Sequence, residues 1–200
     1  MKIRMDRVRK VLFLENDDLI EEIRQWWNGV PLWHPLGFVS LPLTEGTGWA
    51  LKIHYWPKGT RKPKKPNWPI HNHRFHIESR VLYGVVGNWK YKIIEGGEER
   101  LFSVSYSGKD SVIIPHGNAI TAMLDSKEYH VAGEVYEICR KTFHQAYIPI
   151  EESAITLVLQ TDFVEQPPFV VGRPGVAVEE YKRTAYSTEK IWGAIINGTE

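Results

Sequence analysis

Pro69-Ile70-His71-Asn72-His73-Arg74-Phe75-His76-Ile77-Glu78-Ser79-Arg80-Val81-Leu82-Tyr83-Gly84 is the densest chemistry in the chain. Two histidines stand one residue apart. In an extended strand alternate side chains share a face, so His71 and His73 would aim at one point, as two ligands of one metal ion must. His76 follows Phe75, Glu78 lies two residues further on, and an apolar run closes on Gly84, a turn former. Imidazole is the commonest metal-ligating side chain. A metal site is therefore preferred over chance clustering of surface or core histidines.

Working outward, 200 residues make one ordinary domain with room for terminal additions, long enough to bury a sizeable core. A formal net charge of +1 gives no global argument for nucleic acid or an anionic membrane. Cys139 is the only cysteine, which excludes an internal disulfide and cysteine-rich zinc modules. No apolar h-region follows the basic N-terminus, and no apolar run approaches membrane-spanning length. A cytoplasmic protein without a membrane partner is expected.

Residues 1–14 read as a short strand or an arm. Leu19, Ile20, Ile23, Trp26 and Trp27 recur at helical spacing, predicting an amphipathic helix over 18–27 with Asn16 or Asp17 as its cap and Gly29 beyond its end. Proline and glycine punctuate residues 31–48. Residues 49–56 alternate as a strand, with Leu51, Ile53 and Tyr55 on one face and Lys52, His54 and Trp56 on the other. The basic, proline-broken segment 58–66 is either an electropositive rim for an anionic substrate or, preferably, a solvated loop.

Past the histidine stretch, residues 81–86 and 88–94 read as two strands joined across Gly87. Glu95-Gly96-Gly97-Glu98 is a turn signal, residues 101–106 and 112–114 are short strands, and a polar stretch spans 116–133. Residues 135–144 alternate as one strand ending near His144, and 154–160 form a strongly apolar one. Proline and glycine crowd 166–175, and a helix over 188–196 is capped by Ser187. Many short strands between turn signals predict an antiparallel sandwich or barrel. Such a fold can bring His144 to the histidine pair.

The pattern resembles the cupin superfamily, whose first motif is a histidine, any residue, a second histidine, a short spacer, a glutamate and, some six residues on, a glycine. Here it is carried by His71, His73, Glu78 and Gly84, with His144 in the place of the second motif's histidine. The resemblance covers roughly 49–161. His144 lacks the usual proline-glycine approach, and His116, after Pro115, competes for its role at a shorter spacing. Counted from the histidines Glu78 fits; counted back from Gly84 the equivalent residue is Ile77. Strict alternation sets Glu78 opposite His71 and His73, so a one-residue bulge is needed to turn it inward. Without Glu78 the ligand set is three histidines, which resembles the thiol dioxygenase branch.

The resemblance implies a mainly β fold: a single cupin jelly-roll β-barrel over 49–165, an N-terminal arm and amphipathic helix over 1–48 packing on it, and a C-terminal extension with a short helix over 166–200. It also implies a divalent metal, Fe(II) first, held by His71, His73, His144 and, with the bulge, Glu78. Manganese, nickel, copper and zinc accept the same ligands. Arg140, placed by alternation on the His144 face, can hold a substrate carboxylate in a fork. Tyr55 and Tyr83 can project inward. Packing or surface roles compete for all three. His76 is a loop histidine or a donor behind the ligands, and Cys139 a small buried residue. The function implied is a dioxygenase-like oxidoreductase acting on a small polar molecule. The alternatives are a metal-dependent isomerase, epimerase or lyase, and a non-catalytic cupin that binds or senses a small ligand. By the same analogy a homodimer is possible. A nucleic-acid role is disfavoured because the basic loop has no interleaved aromatic platform.

Overall fold

The computed structural model describes residues 5–107, 110–178 and 180–197. The first four residues of the basic N-terminal segment lie outside them. Helix α1 (Met5–Val11) stands where a strand or arm is expected. Asp6 in its first turn and Arg9 and Lys10 in its last complement the helix dipole. Val8, Val11 and Leu12 are buried while Phe13 is 67% exposed, so the apolar run at 11–14 closes a helix instead of pairing as a strand. Helix α2 (Asn16–Trp26) buries Leu19, Ile23 and Trp26, as their spacing predicts. Its cap position is Glu15, without a side-chain cap, rather than Asn16 or Asp17. Helix α3 (Thr188–Asn197) is capped as expected: Ser187 Oγ accepts the Lys190 N–H at 3.1 Å.

Between the helices run β1 (Leu32–Trp33), β2 (Val39–Gly46), β3 (Trp49–Trp56), β4 (His76–Tyr83), β5 (Val85–Ser107), β6 (Asp110–Val131), β7 (Val135–Ile138), β8 (Phe143–Tyr147), β9 (Ala154–Thr161) and β10 (Phe169–Gly172). The fold is mainly β, in two antiparallel sheets. One is six-stranded in the order β1-β2-β3-β9-β4-β7; the other is four-stranded, β10-β5-β6 with β8 also paired to β5. Strands β1, β2 and β10 lie in the segments assigned by sequence to the N-terminal arm and the C-terminal extension.

Strand β9 explains the layering. It is buried along its whole length because it sits between β3 and β4 with cover on both faces. Leu157 and Leu159 point to the outer face with Leu51 and Ile53, where Val8, Leu12, Ile23 and Ile191 of the helical layer meet them. Each such side chain, fully buried, contributes about 1.5–3 kcal/mol. The inner face carries Lys52, His54, Trp56, Val158 and Gln160. Here Trp56 packs with Phe38, Val81, Val86 and Ala154, which joins the two sheets.

Four sequence expectations for the strands are corrected. The break between β4 and β5 falls at Gly84, not Gly87. Gly84 has φ +76°, and a Cβ there would meet the Ser153 carbonyl oxygen at 2.2 Å, so the β9 entry passes too close for any side chain. The Glu95-Gly96-Gly97-Glu98 signal is a bulge inside β5, where Glu95 and Glu99 both face Ile120. The polar stretch 116–133 belongs to β6, which pairs with β5 along a long ribbon. Its residues bury little, so their pattern reads as loop. Finally, residues 135–144 are two strands separated by a turn in which Lys141 has φ 67°.

Candidate metal centre

His71, His73 and His144 come together between the sheets. Their candidate ligand nitrogens all lie within 4.8 Å of one another. Ring centroids are 4.6 Å apart for His71 and His144, 4.7 Å for His71 and His73, and 5.1 Å for His73 and His144. Backbone pairing makes the cluster. The His71 N–H donates to the His144 carbonyl at 3.0 Å, and the His144 N–H donates back to the His71 carbonyl at 2.8 Å. On its other side the segment is tied to β10: the Asn72 N–H donates to the Phe169 carbonyl at 3.0 Å, and the Phe169 N–H donates to Asn72 Oδ1 at 2.7 Å. His71 and His73 thus lie on a short bridging segment before β4, not on a regular strand, yet the i, i+2 alternation survives.

Two of the rings have their tautomers fixed from behind. His71 Nδ1 lies 2.8 Å from the Pro69 carbonyl oxygen, which can only accept, so Nδ1 carries the proton. His144 Nδ1 donates to Asn88 Oδ1 at 2.9 Å. Both bonds free Nε2 as a lone-pair donor, the arrangement in which metal-binding histidines are held by outer partners. His73 Nε2 and His144 Nε2 stand 2.9 Å apart. Two nitrogens about 2.1 Å from one ion and at right angles to each other would be about 3.0 Å apart, so this pair fits adjacent positions on a single cation. Burial lowers the pKa of all three imidazoles; His73 and His144 are held well below the usual value, with the neighbouring rings adding to the effect. At neutral pH the three are neutral ligands.

The cluster opens on a cavity of about 310 Å³. His71 and His73 form part of its wall, with Phe75, whose ring stacks 4.9 Å from that of His73. His34, between β1 and β2, and His54 of β3 also line the cavity, joined through the Phe38 ring at 4.4 Å and 4.6 Å. Burial drives the His54 pKa down to about 3 and that of His34 well below its ordinary value. Neither histidine has motif support in the sequence, though alternation along β3 places His54 with Lys52.

The remaining sequence candidates lie elsewhere. Glu78 keeps strict alternation: it faces the helices, where its carboxylate accepts from Arg9 Nε at 3.0 Å and Nη2 at 2.5 Å, and no bulge turns it inward. Arg140 falls in the turn after β7, exposed, and donates to the Asp162 carbonyl at 3.2 Å; the turn breaks the parity that linked it to His144. Cys139 is exposed in the same turn rather than buried. Tyr55 and Tyr83 pack in the outer core, Tyr55 near Tyr186 with its pKa raised to about 12 by burial. His76 opens β4 at 3.5 Å from Glu137, outside the cluster. His116 contacts Phe169 and is not among the clustered ligands.

Sequence reasoning missed Asn88, Lys64 and Arg183. Asn88 is buried in β5, and its being the only side-chain amide of that strand was the available signal. Lys64 belongs to the basic segment read as solvated, yet it is only 8% exposed and lines the cavity. No helix among the described residues is long and apolar enough to cross a membrane. No protein-family model matches the chain, and no curated protein matches it in sequence.

Proposed function

We propose that this protein is a metal-dependent enzyme of cupin type, in which His71, His73 and His144 hold one divalent cation and the adjoining cavity takes a small molecule. The observation that carries the reading is the convergence of three neutral imidazoles, two with Nδ1 protonated from behind, beside a cavity that His71 and His73 line. The jelly-roll reading is supported by the two packed antiparallel sheets and by the place of the histidines between them. Three nitrogen donors suit iron, zinc, manganese, nickel or copper; the cupin resemblance favours Fe(II) and an oxidoreductase of the dioxygenase kind. Iron, when bound, supplies the redox chemistry.

The chain's own residues have separable tasks. Asn88 and the Pro69 carbonyl orient two ligands, and the His71–His144 backbone pair fixes their separation. Phe75 covers one side of His73, and Phe38 adds apolar surface to the cavity. The test is oxygen uptake by iron-loaded protein across a panel of small thiols and organic acids. Uptake that is substrate-dependent and lost in His144→Ala supports the oxidoreductase. Substrate turnover without oxygen uptake supports Lewis-acid chemistry instead, and binding without turnover supports a sensor.

A further inference from the structure

The cavity beside the histidines has a charge pattern that the metal reading does not require. Among the described residues Lys52, Lys64, Arg74 and Arg183 all line it, and no aspartate or glutamate does. Lys64 is almost wholly buried, and its ammonium group makes no hydrogen bond or ion pair among the described residues. Lys52, on the inner face of β3 beside His54, likewise has no ion pair there; Glu45 acts on it only at longer range. Cations gathered around one cavity repel one another, and that cost falls when an anion is present. Lys52 and Arg183 also bring like charges together: burial and Arg183 both lower the Lys52 pKa, and Arg183 and Lys52 both act on His34.

Three distant segments are fastened to produce this arrangement. The Lys64 N–H donates to the Pro35 carbonyl at 2.7 Å, which folds the basic segment inward. The Tyr181 hydroxyl donates to the Lys62 carbonyl at 2.8 Å and lies 3.1 Å from the His34 carbonyl, which ties the segment carrying Arg183 to both. Aromatic rings, among them Phe38, Trp68 and Phe169, line other parts of the wall. A volume of about 310 Å³ is at the small end of ligand cavities.

We infer that the substrate of this site is a small organic oxyanion, a carboxylate or phosphate on an aromatic or apolar body, with the anionic group held by Lys52, Lys64 and Arg183. The substrate class rests on the proposed function, but anion binding is separable from the metal and can be measured without it.

The experiment is isothermal titration of metal-free protein with benzoate, phenyl phosphate and neutral benzamide. Trp68 fluorescence gives a second readout. The two anions distinguish a carboxylate ligand from a phosphate one. At least one anion is expected to bind, benzamide not, and raised salt is expected to weaken binding. Lys64→Met and Lys52→Met are each expected to reduce anion affinity about tenfold or more, while Lys58→Met, in the exposed part of the same loop, leaves it unchanged. His73→Ala is expected to lose metal but keep anion binding, so loss of the metal reading is distinguishable from loss of this one. Thermal melts confirm that each variant is folded. Binding of benzamide as tight as benzoate, no binding of either anion, or anion binding indifferent to both lysine substitutions would overturn the inference.

Discussion

The Asn88 side-chain oxygen accepts the His144 Nδ1–H at 2.9 Å across 56 residues of sequence. Asn88 is 1% exposed, so this bond is not shared with water. It sets which nitrogen of His144 faces the cluster. Removing the acceptor in Asn88→Ala is expected to weaken metal affinity about 10- to 100-fold, the usual effect of losing a ligand's outer partner. Asn88→Asp, which keeps an acceptor, is expected to recover most of it. Competition titration with a chromophoric chelator measures both.

Glu78 bears on the same question from the other face of β4. Its side chain is 10% exposed and its ion pair with Arg9, which is 55% exposed, joins α1 to the sheet. Glu78→Gln is expected to leave metal stoichiometry unchanged and to lower stability by about 1–2 kcal/mol, because a charge-assisted pair open to solvent on the arginine side is worth less than a fully buried one. Metal content and urea unfolding of this variant separate a ligand from a structural carboxylate.

Gly84 joins β4, which follows the ligand segment, to β5, which carries Asn88. Gly84→Ala is expected to destabilise the fold by about 2 kcal/mol or more, since the left-handed backbone alone costs an alanine about 1–2 kcal/mol and the Ser153 carbonyl must also move. The melting temperature reports it.

The acid limb of the stability curve follows from the buried histidines. A group whose folded pKa lies below its unfolded value leaves the unfolded chain binding more protons between the two, so stability rises with pH in that window. For His54 the window runs from about 3 up to 6.5. Its contribution is fully present above 6.5 and is lost as pH falls. Unfolding of metal-free protein in urea is expected to show His54→Phe with a shallower fall, by roughly 1 kcal/mol per pH unit between about pH 4 and 6.5. An unchanged slope contradicts the assignment of His54 as a buried neutral ring.

What was legible in the sequence follows a physical division. His71 and His73 were readable because ligand spacing is local, whereas His144 was reached through the expected β fold and the cupin resemblance. Strand alternation already placed Glu78 on the wrong face, and only the family motif kept it a candidate. The apolar 154–160 strand and the Ser187 cap were equally local. Lys64 and Arg183 were not readable, because tertiary hydrogen bonds through Pro35 and Tyr181 bring them to the cavity. The ribbon of β5 and β6 was lost for another reason: in β6 Tyr129 and Val131 are exposed while Glu128 and His130 take the more covered face, so hydropathy does not follow the alternation. Arg140 was misplaced by carrying alternation through a turn that only the positive φ of Lys141 reveals.

The most direct measurement is the divalent metal content of the purified chain after loading and exhaustive dialysis, compared between wild type and His73→Ala. One ion per wild-type chain and none in the variant is the expected result. Equal content in the two, or a wild-type chain that retains no ion, contradicts a centre built from His71, His73 and His144.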